Sequence, residues 1–280
     1  MKLSFSTLGC PDWTLEQIAD NARTLGYDGV ELRTHADGNH LSPDASPAEV
    51  ARVAALFAAR GAKIISIKGY TKFAFLDDAT VAENQALLRK LVAIAHGVGA
   101  KYVRTFAGQI PEGADHAAMT KRVADAIRPV AQEAAAKGVR IALEIHDDWC
   151  AGAAVIGLVD RIACPAGFGI VYDINNAFHA KRESWQTTYA TIKDHIAYCH
   201  LKDGYDTGDG KVHYVMLGAG DLPVKEILAK FAADGFSGYF SFEWEKKWHP
   251  EIESPERAFP HYVHKVRALW REVAARRAGA

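Results

Sequence analysis

Short runs of β-branched and aromatic residues alternate with longer Ala-rich, charge-decorated runs from one end of this chain to the other, and the alternation repeats eight times. Strand-like runs fall at 2–8, 29–33, 63–68, 102–106, 139–145, 169–174, 196–202 and 239–243. Segments between them, such as 14–25, 47–60, 81–97, 116–137 and 224–234, carry apolar residues at three- and four-residue spacing, the pattern of a helix with one buried face. Several close on glycine, at Gly26, Gly61, Gly97, Gly138 and Gly235, which fits a left-handed cap leading into the next strand. Strand–helix units in this order build a parallel sheet, and eight of them in roughly 250 residues or slightly more describe a closed (β/α)8 TIM barrel. No Pro/Gly/Ser-rich linker divides residues 1–280, so a single domain is expected. An open doubly wound sheet is the structural alternative, but the first strand-to-helix turn, Gly9-Cys10-Pro11-Asp12, has no GxGxxG to cradle a dinucleotide.

A chain of 280 residues with 49% hydrophobic positions can bury a sizeable core without disulfides or a structural metal, so any metal it bound would be suspected of chemistry. Its net charge of −1 supplies no general field toward polyanions, and neither nucleic acid nor a membrane surface is expected as a partner. Cys10, Cys150, Cys164 and Cys199 form no CxxC pair and the N-terminal residues lack the long apolar run of a secretory signal, which reads as a reduced, cytoplasmic protein. The longest mainly apolar stretch, 87–98, is interrupted by Arg89, Lys90 and His96 and is far short of the ~20 residues of a membrane span.

Barrels of this class build their sites at the carboxyl ends of the strands, so the polar residues that terminate the apolar runs matter most. Strand five ends in Glu144, strand six in Asp173, strand seven carries His200 and strand eight ends in Glu243. A carboxylate among Leu, Val and Ile is strongly disfavoured unless it is paired, neutralised or bound to metal. Each residue alone is explained as readily by a strand-end ion pair. Four at equivalent places make one divalent metal ion the simplest joint explanation, with manganese first and magnesium, cobalt or zinc as alternatives.

The opening LGYDGVELR (25–33), KGVRIALE (137–144), VYDINN (171–176), HLKDG (200–204), LGAGDLP (217–223) and GFSGYFSFEWE (235–245) together resemble, in order, segments of the xylose-isomerase-like TIM-barrel superfamily of sugar isomerases and epimerases. That superfamily also holds inosose isomerases and dehydratases, ketose 3-epimerases and an endonuclease branch. The resemblance implies that Glu144, Asp173, His200 and Glu243 are metal ligands, with Glu144 and Glu243 doubling as the acid/base pair, and it is compatible with a homo-oligomer. Strands three and four end without the extra histidines of the endonuclease branch, and Asn176 stands where epimerases and endonucleases often carry histidine. Asp206 stands where the epimerase branch places a substrate-holding arginine, which counts against tagatose-type epimerisation.

His146, Asn176, Lys68, Arg104, Lys202 and Trp13 are the candidate substrate-binding residues, with Arg33 a further cation near strand two. The cations could orient an uncharged polyol, a carboxylate or a phosphate. Trp13, Tyr70, Phe106, Trp149 and Trp244 form either an aromatic wall around a sugar or ordinary core. His179 and His213 read as loop residues, 204–210 as a mobile glycine-rich loop, and Trp248-His249-Pro250 as part of a lid or interface. The Arg-rich terminal segment, 267–277, reads as a solvated helix face. The resulting expectation is a metal-dependent isomerase or epimerase acting on a small-molecule carbohydrate, a ketose or keto-polyol, through an enediolate. β-Elimination by a dehydratase or lyase on an inosose or 3-keto-glycoside is the alternative, and a non-catalytic sugar-binding barrel is the third.

Overall fold

The computed structural model describes residues 1–180, 183–208 and 211–278, with side chains through residue 275. Eight parallel strands close into one barrel: β1 (Lys2–Ser6), β2 (Gly29–Arg33), β3 (Ile64–Lys68), β4 (Tyr102–Phe106), β5 (Arg140–Glu144), β6 (Phe168–Asp173), β7 (Ile196–His200) and, after a short hairpin of β8 (Asp203–Asp206) and β9 (Val212–Val215), β10 (Tyr239–Phe242). Closure comes from β1 pairing with both β2 and β10, with Phe5 opposite Phe242. The fold is the expected single TIM barrel.

Helices α1 (Leu15–Leu25), α2 (Pro47–Ala59), α3 (Asp78–Val98), α4 (His116–Ala136), α5 (Gly152–Ile162), α6 (Ile174–His179), α7 (Trp185–Ile192), α8 (Val224–Ala233) and α9 (Pro255–Ala278) connect the strands or follow them. Capping boxes start two of them, Thr14 with Gln17 on α1 and Ser46 with Glu49 on α2, each satisfying orphan N–H groups of the first turn. The α3 cap is Gly99 in the left-handed region (φ 73°), not the expected Gly97. Gly97 lies inside α3, where a Cβ would come within 2.6 Å of Val50 Cγ1 on α2, so its role is close helix approach. Leu3, Phe5, Ile18, Val53, Leu91, Val130, Leu158, Phe231 and Tyr262 belong to one continuous core between barrel and helices. Among the described residues no helix is long and apolar enough to cross a membrane.

Two boundaries differ from the sequence expectation at the end of the barrel that matters. Strand seven stops at His200 rather than running to 202, and residues 204–206 of the stretch expected as a loop lie in β8, which pairs antiparallel with β9, Tyr205 opposite His213. Positions 209 and 210 lie outside the described residues. Asp203 explains the hairpin. Its buried carboxylate accepts from the backbone N–H groups of Gly204 (2.9 Å), Gly218 (2.7 Å), Gly220 (3.1 Å) and Leu222 (3.2 Å), tying the hairpin base to the chain that returns to α8. A Cβ at position 220 would fall 2.3 Å from Asp203 Oδ1, so only glycine permits this approach.

Asp203→Ala would leave these N–H groups without acceptors, each at a cost of about 1–3 kcal/mol where it stays dry. A loss of about 2–4 kcal/mol is expected, allowing for water entry, and for a domain of this size that is a fall in Tm of roughly 5 °C or more. Thermal unfolding checks it, and an unchanged Tm would show that Asp203 does not anchor the hairpin.

Candidate functional site

Strand register sorts charge around the mouth of the barrel. Arg33, Lys68 and Arg104 are direct register partners across β2, β3 and β4, and all three are buried. On the opposite side, Asp173 pairs with His200 and His200 with Ser241, while Glu144 ends β5 and Glu243 follows β10. Parallel partners project to the same face of a sheet, so cations from one half of the barrel meet carboxylates from the other. Lys68 contacts Glu243, and Arg104 Nε lies 3.2 Å from Glu144 Oε2. Lys202 Nζ donates to Asp173 Oδ2 (2.8 Å), to Glu245 Oε1 (2.9 Å) and to Glu243.

The four residues singled out at the strand ends come together. Glu144, Asp173, His200 and Glu243 are all buried, and each offers a ligand atom such that all four atoms lie within 4.8 Å of one another. His200 Nδ1 is the focus, 3.3 Å from Glu243 Oε2 and 3.6 Å from both Glu144 Oε2 and Asp173 Oδ2. Among the described residues neither His200 Nδ1 nor Glu144 Oε2 has a hydrogen-bond partner, although both are inaccessible to water. Buried polar atoms are normally paired, so these two are waiting for something.

Sequence reasoning missed Glu31, at the centre of β2 and fully buried. Its carboxylate accepts from His200 Nε2 (3.0 Å), from the Tyr198 hydroxyl (2.6 Å) and from Ser241 Oγ. Burial alone would raise its pKa, but the adjacent His200, Lys68 and these donors bring it to about 2. Holding Nε2–H against Glu31 turns Nδ1 toward the three carboxylates, where it is the atom a metal ion would take in place of its proton. A charged residue between Val30 and Leu32 in a strand buried on both sides was the signal available in the sequence.

Charge arithmetic points the same way. Among the described residues Glu31, Glu144, Asp173, Glu243 and Glu245 face three permanent cations, Lys68, Arg104 and Lys202, which leaves two excess negative charges while His200 is neutral. The excess pushes His200 up to about 10 against the effect of burial, chiefly through Glu31 and Glu144. A divalent cation supplies the missing charge, and three carboxylates with one imidazole are a donor set suited to manganese, magnesium, cobalt or zinc. The residues therefore fit a metal ion.

A cavity of about 160 Å³ opens onto this cluster, lined in part by Glu144, His146, Asn176, Lys202, Glu243 and Arg104. Tyr70, Phe106, Tyr214 and Trp248 form its aromatic side. His146 and Asn176 also line an adjoining cavity of about 240 Å³ with Asp206 and His179. His213 faces a separate cavity beyond the hairpin. Lys68 is buried against Glu243 under the site, and burial together with Arg104 lowers its pKa to about 8.

Trp13 is placed elsewhere. Its indole N–H donates to Glu256 (2.8 Å) and its ring packs edge-on against Phe259 (5.4 Å), so it fixes the loop after β1 to α9 and does not line the cavity. Trp149 and Trp244 are likewise committed to the core, donating to Gly108 O and Glu253 O. Tyr214 and Trp248 complete the wall instead.

This chain belongs to the xylose isomerase-like TIM barrel family, whose sequence model matches residues 19–263. Its fold is similar to that of an L-ribulose 3-epimerase (TM-score 0.82, 18% identity, 99% of this chain and 97% of the other). It is also similar to the IolI protein solved with a zinc atom (0.77, 20%, 99% and 99%) and to AsbF, a probable 3-DHS dehydratase from Bacillus anthracis (0.75, 17%, 96% and 99%). Among curated proteins, none matches the chain in sequence.

Replacing Glu31 by Gln keeps the shape of the side chain but removes the charge that orients His200. Affinity for Mn or Zn, read by competition with a chromogenic chelator, should fall by roughly 10- to 100-fold. Unaltered affinity would show that Glu31 does not set the imidazole.

Proposed function

We propose that the protein is a divalent-metal-dependent isomerase or epimerase that moves a proton at the carbon next to a carbonyl in a hydroxylated substrate. The observation that carries this reading is the convergence of His200 Nδ1 with three carboxylates at 3.3–3.6 Å beside a cavity. Glu144, Asp173, His200 and Glu243 would hold the ion, which when bound supplies Lewis-acid polarisation of the substrate carbonyl.

The chain's own residues supply the rest. Glu144 is held well below the usual carboxylate range: burial opposes this, and Arg104, His200 and Lys68 outweigh it. It is therefore ionised at neutral pH and competent to accept a proton once substrate displaces part of its pairing. Glu243 enters from β10, across the cluster from β5, and is paired with Lys68 and Lys202. Two carboxylates reaching the same space from different strands permit one to take the proton and the other to return it, to the opposite face for epimerisation or to the neighbouring carbon for isomerisation. Tyr70, Phe106 and Trp248 cover the aromatic side and reduce water access. Lys202, with Asp173 and Glu245, fixes the floor.

Elimination is the second reading, and one observation favours it. His146 lines the cavity close to Glu144, with its Nδ1 3.0 Å from Asp147 Oδ1. Burial lowers its pKa, but Asp147 and Glu144 raise it above the ordinary value overall, which suits an acid that protonates a departing hydroxyl.

The test is incubation of the Mn-loaded protein in deuterated water with ketoses, inososes, 3-keto-glucosides and the 3-DHS named for AsbF. Deuterium in a product of unchanged composition is expected, and loss of water would select elimination. Glu144→Gln and Glu243→Gln should each lower turnover by about 100-fold or more. Full activity in either variant would contradict the acid/base assignment.

A further inference from the structure

We propose that Arg104 is a recognition site for a carboxylate on the substrate, so that the compound turned over beside it is a hydroxylated keto acid rather than a neutral sugar. This rests on the proton-transfer reading above and adds a substrate class to it.

Arg104 is 1% exposed, yet among the described residues its Nε and Nη1 have no hydrogen-bond partner. Its closest carboxylate is Glu144, whose Oε2 approaches Nε at 3.2 Å but forms no hydrogen bond there. The guanidinium packs instead against aromatic rings, 4.0 Å from the centroid of Phe106 and 4.6 Å from that of Tyr70. These contacts fix its plane and hold water off, while the residue still lines the cavity that opens onto the cluster. A buried cation with unpaired donors is costly, and the cost is recovered when a ligand supplies acceptors.

Assigning Glu144 to a metal ion sharpens the point. The charges of the cluster then balance overall but not locally, because the one carboxylate touching Arg104 is drawn to the ion. Lys202 retains Glu245 as a partner and Arg33 is satisfied by a two-pronged pair with Asp37 (2.9 Å each). Arg104 has no such replacement among the described residues. A guanidinium presents its donors as a planar fork, which a carboxylate matches bidentately. A phosphate would want several converging donors, and a cavity of about 160 Å³ with a single fork suits the smaller, planar group.

The experiment is calorimetric titration of the Mn-loaded, full-length protein with two matched pairs: D-fructuronate against D-fructose, and D-tagaturonate against D-tagatose. Within each pair only the carboxylate differs. The acids should bind at least 10-fold tighter than the neutral ketoses. Arg104→Gln should abolish that preference while keeping the affinity for Mn, and Arg104→Lys, which keeps charge but loses the fork, should retain only part of it. Equal binding of acid and ketose by the wild type overturns the proposal, even if Arg104→Gln does not fold. So does a variant that weakens both members equally, or inorganic phosphate that displaces the acids at the same concentration. Binding is read without turnover. A preference for acids without Glu144-dependent proton exchange would therefore uphold the carboxylate site and remove the proton-transfer reading, and the reverse would remove the carboxylate site alone.

Discussion

Four buried carboxylates, with the partly buried Glu245 beside them, repel one another in a medium that screens them poorly, and the architecture around them answers that repulsion. Lys68, Arg104 and Lys202 reach in from β3, β4 and the residue pair after β7, and each touches at least one of the acids. Removing one partner from such a pair costs about 3–5 kcal/mol because the survivor stays buried and uncompensated. The three cations are therefore part of what allows the barrel to close around these acids. The two negative charges left over are what the site has to offer to a ligand.

The orientation of one imidazole connects this charge balance to chemistry. His200 sits between Glu31 on one side and three carboxylates on the other. The buried trio of Tyr198, Ser241 and His200 around Glu31 holds that carboxylate in place, and Ser66, register partner of Glu31, extends the network through the Tyr198 hydroxyl (3.2 Å). A polar network threaded through the barrel interior fixes the orientation of the ring where an apolar interior would leave it free to turn. Energy spent on burying these groups returns as a preorganised donor set.

Much of this was legible in the residues themselves. The eightfold alternation specifies the barrel because strands buried on both faces leave short continuous apolar runs, while helices with one buried face leave a 3.6-residue pattern. Glu144, Asp173, His200 and Glu243 were visible because four charged or polar residues ending successive apolar runs have one joint explanation, although each alone reads as readily as a strand-end ion pair. Glu31 was not, since inside LGYDGVELR it reads as one polar residue in a short strand, and its partner His200 is 169 positions away. The β8–β9 hairpin was hidden for a related reason: its base is tied down by Asp203 gathering N–H groups as far off as Leu222, a contact that no local pattern announces. Trp13 misled because aromatic residues near strand ends serve core and cavity alike, and only its pairing with Glu256 decides between them.

The account turns on a divalent ion at the meeting point of Glu144, Asp173, His200 and Glu243. The direct measurement is a crystal structure of the Mn-loaded protein with data collected above and below the manganese absorption edge. One anomalous peak per chain is expected within coordination distance of His200 Nδ1 and the three carboxylates. The contradicting result is the absence of that peak, with Lys68 and Lys202 both still paired to Glu243.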